Sequence, residues 1–108
     1  MMQELYDQIK ELQDSIEKKE DLAFLKKHAL AIRKLCLKVT QEFIPKPDFE
    51  FQPFTRRDIT NRIEVVKNGT EEFLEKSDEL DEEKKAVTAR IMRTTLERAA
   101  EIAKITLK

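Results

Sequence analysis

Between Asp21 and Phe43 the chain carries its longest unbroken helical pattern. Leu22, Leu25, Ala29, Ile32, Cys36, Val39 and Phe43 recur at alternating steps of three and four, the spacing of one helix face. Phe24, Ala31 and Leu35 widen that stripe to an arc of roughly 160° at ~100° per residue. A two-stranded seam needs less, so several neighbours have to cover this face. The segment is therefore expected to be the central helix of a bundle.

Upstream, Met2, Leu5, Ile9, Leu12 and Ile16 keep the same spacing among charged residues, which is a narrow stripe of coiled-coil type. Extending its heptad forward would put Lys19, Lys26 and Arg33 on the apolar row, whereas the central stripe restarts at Leu22, out of phase. That shift predicts a turn near Lys18 to Asp21, with Asp21 as the N-cap of the next helix. The turn has no glycine or proline, so the alternative is one long helix that changes partners.

After Phe43, Pro45, Pro47 and Pro53 rule out regular helix and force extended backbone on the residues before them. This reads as a long crossover, with Phe49, Phe51 and Phe54 riding on it, either packed over the bundle or presented to a partner. Thr55 and Asp58 form a capping-box-like start for a third helix. Ile59, Ile63, Val66, Thr70 and Phe73 then run straight through the turn signal Asn68-Gly69. A mid-helix glycine costs about 1 kcal/mol against alanine, which a packed stripe absorbs, so a continuous or kinked helix is expected; the alternative is that Gly69 ends one helix and Thr70 caps another. Asp81 reads as the N-cap of a last helix with Glu82 and Glu83 in its first turn. That helix should reach nearly to Leu107, with Val87, Ile91, Met92, Leu96, Ala99, Ile102, Ala103 and Ile105 as its apolar set. The fold class is thus all-α, an antiparallel bundle of three to four helices with one long Pro-rich crossover.

With 108 residues the chain is expected to form one helical-bundle domain over residues 1–108, too small for a separate catalytic lobe. Charged and hydrophobic residues each make up 40%, with one glycine and no tryptophan, the balance of a helix-rich protein. No apolar run approaches the ~20 residues that span a bilayer, so no membrane partner is expected. The one cysteine, Cys36, cannot form an internal disulfide, and the cytoplasm is the default compartment.

A net charge of −1 hides an uneven distribution. Leu22 to Gln41 holds no acid but has Lys26, Lys27, Arg33, Lys34 and Lys38, whereas the first helix is rich in Glu and Asp. Glu71 to Glu83 is strongly acidic and the last helix mainly basic. An acidic helix followed by a basic one, twice, suggests hairpins whose facing edges attract.

Few residues could carry chemistry. His28, the single histidine, lies among Phe24, Leu25, Ala31 and Leu35 and is expected buried and neutral. Cys36 is eight residues further along the helix, about 12 Å away at 1.5 Å per residue, too far for a nucleophile–base pair. One Cys and one His do not make a zinc site of the usual ligand types. Glu71-Glu72-Phe73-Leu74-Glu75 resembles half of the magnesium-holding pattern of all-helical nucleotide pyrophosphohydrolases of the MazG type. The other half, a Glu-x-x-Asp on another helix, has no match, since Glu97 is followed by Ala100 and Glu101 by Lys104. The segment is read as a solvated acidic face.

The expectation is a non-enzymatic interaction module without cofactor or metal: an adaptor, an inhibitor or an immunity-type factor acting through helix faces. Its partner would be a protein or a second copy of the chain. Ala23, Leu30 and Leu37, seven residues apart on the side of the central helix away from its main stripe, are candidate partner-binding positions, together with Phe49, Phe51 and Phe54. The runner-up is a nucleic-acid-binding regulator that grips phosphates with Lys26, Lys27, Arg33, Lys34 and Lys38.

Overall fold

A computed structural model describes residues 2–42 and 53–108, with the backbone alone for Pro53 and Phe54. The Pro-rich crossover with Phe49 and Phe51, the Phe43 end of the central stripe and the Phe54 side chain lie outside the described residues. The protein is all-α, with four helices: α1 (Met2–Glu17), α2 (Leu22–Glu42), α3 (Pro53–Leu74) and α4 (Glu82–Ile102). A short 3-10 helix, Ser77–Glu79, lies between the last two. No strand occurs among the described residues.

Each helix packs on two others, α1 on α2 and α4, and α3 on α2 and α4, which closes a ring of four around one core. Side chains tie Gln3 to Lys108, Tyr6 to Glu97 and Gln13 to Arg93, so α1 and α4 run antiparallel. The molecule measures 45 × 26 × 18 Å. A helix of this length spans about 31 Å, so the long dimension is one helix and its connections.

The break after α1 is a Schellman turn. Glu20 N–H donates to the Ser15 carbonyl and Lys19 N–H to that of Ile16, both at 3.0 Å, with Lys19 at φ 56°. Lysine occupies a backbone position usually given to glycine. Asp21 then caps α2, its Oδ1 accepting from Phe24 N–H at 3.0 Å. Two helices, rather than one long one, follow from this pair of devices.

Helix α3 starts at Pro53, two residues before the expected Thr55, because proline lacks an N–H that the first turn would leave unpaired in any case. It then runs unbroken through Gly69. Asp81 caps α4 by accepting from Lys84 N–H at 2.8 Å. That helix ends at Ile102, well short of Leu107. Lys104 turns the chain at φ 59°, and Ile105 N–H reaches back to the Ala100 carbonyl at 2.8 Å, a second lysine-closed Schellman turn.

The α1 stripe is wholly buried, and so are Leu25, Ala29, Ile32, Cys36 and Val39 of α2 and Ile59, Ile63, Val66 and Phe73 of α3. From α4 and its C-cap come Met92, Leu96, Ala99 and Ala103, and also Ala89 and Ala100, which the apolar pattern passed over. Three expected core residues face outward: Ile105 is 36% exposed past the end of α4, Phe24 42% and Ile91 49%. Phe24 and Ile91 each sit one position, or about 100° of arc, from a buried neighbour, Leu25 or Met92, and fall beyond the edge covered by the adjacent helix.

Candidate functional site

The outward side of α2 is the most unusual surface among the described residues. Leu30 and Leu37 are 38% and 52% exposed, and Ala23 is exposed as well. The first helix does not cover them, because it meets α2 along His28, on the other flank of the buried stripe. Leu30 and Leu37 stand two turns apart, about 10.5 Å along the axis.

Cations frame this row. Lys27, Lys34 and Lys38 are exposed, while Lys26 and Arg33 are half-buried. Among the described residues, none of the five has a carboxylate within ion-pair distance. Among the described residues the lysine and arginine ion pairs are local, joining residues three or four apart in sequence: Arg62–Asp58, Lys67–Glu64, Lys76–Glu72, Lys85–Glu82, Arg93–Glu97 and Arg98–Glu101. No lysine or arginine ion pair links α1 to α2 among the described residues. Glu4, Asp7, Glu11, Asp14 and Glu17 are exposed on α1, and of the α2 cations Lys27 lines the same seam hollow as Glu11 without pairing with it.

His28 is mostly buried, as the sequence pattern suggests, but at the edge of the core rather than inside it. Its side chain is 17% exposed, with Nδ1 3.9 Å from Glu11 Oε2 and the ring edge-on to Phe24 at 4.9 Å between centroids. It lines a shallow hollow in the α1–α2 seam with Gln8, Lys27 and Ala31. Cys36 is buried, and burial pushes its thiol pKa up to about 12, the charge of Glu64 adding to the shift. A thiol so far from ionising is not a nucleophile. The acidic run at the end of α3 gathers no metal cage: no group of three or more His, Cys, Asp or Glu able to hold an ion occurs among the described residues.

Two other surface features were missed by sequence reasoning. A cleft of about 500 Å³ opens between Tyr6, Glu97, Glu101 and the terminal residues Lys104 to Leu107. At its floor Tyr6 Oη donates to Glu97 Oε2 at 2.8 Å, and burial, then this hydrogen bond, raises the phenol pKa. The arrangement fastens α1 to α4. On the opposite seam Val65 (45% exposed) and Ile91 flank a shallow groove over Gly69 and Met92. The glycine inside a helical pattern was the available signal for that close approach.

No protein-family model, no curated protein and no solved structure matches the chain. No helix among the described residues is long and apolar enough to cross a membrane.

Proposed function

We propose that this protein is a non-enzymatic interaction module, an adaptor, inhibitor or immunity-type factor, whose working surface is the outer face of α2. The observation that carries the reading is the exposure of Leu30 and Leu37 on a helix whose five cations have no carboxylate partner among the described residues. The leucine surface left in water contributes nothing to the stability of the isolated chain and contributes to binding once covered. The cations add steering and selectivity at the rim.

Capture from cells of the native host tests it. Wild-type protein should retain a protein partner that Leu30→Glu/Leu37→Glu loses, while a control with Glu4→Gln and Asp7→Asn keeps it. The leucine variant should melt within a few degrees of wild type, because charges at exposed positions cost little. Equal capture by both variants overturns the proposal.

The same cations would serve phosphates, so nucleic acid is the second arm of that test. Binding to a 20-base-pair duplex should be weaker than ~10 μM at physiological salt, below what a dedicated binder shows. A submicromolar complex with a steep salt dependence would replace the interaction reading.

A further inference from the structure

The arrangement of charge on α2 says what kind of partner its outer face takes. At 100° per residue, Ala23, Leu30 and Leu37 form one row, Lys26 and Arg33 a row about 40–60° to one side, and Lys27 and Lys34 a row about 40–60° to the other. All three rows repeat every seven residues. An apolar row flanked by charged rows at heptad spacing is the surface that a second helix meets in a coiled coil, where flanking charges select the partner. Here both flanks are positive and, among the described residues, unpaired.

We infer that this seam docks an acidic amphipathic helix of another protein, with an apolar residue at every seventh position and Glu or Asp on both sides of that row. The inference rests on the interaction reading above. Charge complementarity decides against a second copy. Two α2 faces related by a two-fold axis would oppose cation to cation. The acidic α1 of another copy offers carboxylates, but its apolar stripe is buried in its own core. The leucines decide against a polyphosphate, which has no apolar row to cover them.

Three synthetic helical peptides of about 20 residues test this at the length of α2. One carries leucine every seventh residue between glutamates, the second has lysines for the glutamates, and the third has glutamines for the leucines. By fluorescence anisotropy the Glu/Leu peptide should bind at least about tenfold tighter than either other peptide, and should weaken several-fold as salt rises from low to physiological and beyond. Leu30→Glu/Leu37→Glu should abolish binding. Lys27→Glu/Lys34→Glu should shift preference to the Lys/Leu peptide, an outcome that a loss of folding cannot mimic. Equal binding of the Glu and Lys peptides, no binding of the Glu/Leu peptide at ~1 mM, where even weak complexes form, or tighter binding of duplex DNA would each overturn the inference. So would a wild-type dimer at ~100 μM that the leucine variant dissolves. If the Glu/Leu peptide fails while partner capture still depends on Leu30 and Leu37, the partner is not acidic and the interaction reading stands. If capture ignores the leucines, that reading falls instead.

Discussion

A Cβ on Gly69 would stand 2.5 Å from Cγ and 2.8 Å from Sδ of Met92, so α3 and α4 approach each other through the side chain that residue 69 lacks. Gly69→Ala gains about 1 kcal/mol of helix propensity and incurs an overpacking cost of about 1–3 kcal/mol. Cγ and Sδ lie mid-chain in methionine and cannot swing clear as its terminal methyl would. The expected sum is a loss of about 1 kcal/mol, or a Tm lower by about 5 °C for a domain this size. In a Met92→Ala background the clash is gone and the same change should stabilise. Urea midpoints of the four proteins in that cycle check it, and destabilisation by Gly69→Ala in both backgrounds would refute the packing role.

Lys19 and Lys104 hold left-handed backbone at φ 56° and 59°, which costs an L-residue roughly 1–2 kcal/mol. Glycine removes that cost and adds about 0.5–1 kcal/mol of unfolded-state entropy. Lys19→Gly and Lys104→Gly should therefore each stabilise by about 0.5 kcal/mol. Lys18→Gly, one residue before the turn and without positive φ, should destabilise. Matching losses at all three positions would contradict the Schellman assignment.

These two turns mark a boundary of what the sequence discloses. The three-four spacing placed α1 and the core stripe of α2, and carried α3 through Gly69, because a buried helix face leaves a period in the sequence. Asp21 and Asp81 were legible because a cap needs a short acceptor at one position. The phase shift at Leu22 disclosed the first turn near Lys18 to Asp21, but neither its lysine-closed form nor the second turn at Lys104 was legible, since their stability comes from main-chain hydrogen bonds that any residue can donate. The edges of the stripes were equally hidden. Phe24 and Leu25 look alike in a pattern, as do Ile91 and Met92, and only the position of the neighbouring helix decides which is covered. Ala89 and Ala100 are core for the reverse reason, being small enough to let that neighbour come close. On the candidate face, the sequence disclosed the heptad of Ala23, Leu30 and Leu37, but whether α1 lay over it depended on the ring order of the bundle.

Cys36 makes stability fall in alkaline solution. The unfolded thiol loses its proton near its ordinary value of about 8.5, whereas the folded one keeps it up to about 12. Between those values the unfolded chain binds fewer protons, so unfolding free energy drops with pH by up to about 1.4 kcal/mol per unit from this group. Below that window the thiol contributes no pH dependence. Tyr6 is shifted in the same direction and adds to the loss above its ordinary value near 10. Urea midpoints from pH 8 to 11 should fall more steeply for wild type than for Cys36→Ala, and alkylation of the folded protein at pH 8 should be at least 100-fold slower than in denaturant, an order-of-magnitude expectation for a buried neutral thiol. Parallel pH curves for the two proteins would refute it.

The Tyr6–Glu97 hydrogen bond ties together the two ends of the chain's helical order. Tyr6 is buried and Glu97 half-exposed, with Arg93 Nε 3.8 Å from the same carboxylate oxygen and Arg93 Nη1 donating to Gln13 Oε1 at 3.2 Å. Lys10 Nζ also lies 5.1 Å from the Tyr6 ring centroid, an attraction that phenylalanine would largely keep. Tyr6→Phe therefore isolates the hydroxyl. A hydrogen bond to a charged acceptor contributes about 1.5–3 kcal/mol when enclosed, but water can reach Glu97 and replace the donor, so the expected loss is only about 1 kcal/mol. Glu97→Gln should cost about as much through the weakened acceptor and the lost pairing with Arg93. Because both changes remove one shared contact, the double variant should be less destabilised than the sum of the two, with a coupling of about 0.5–1 kcal/mol. Strict additivity would mean that the hydroxyl and the carboxylate are each satisfied by water and that apolar packing alone holds α1 against α4.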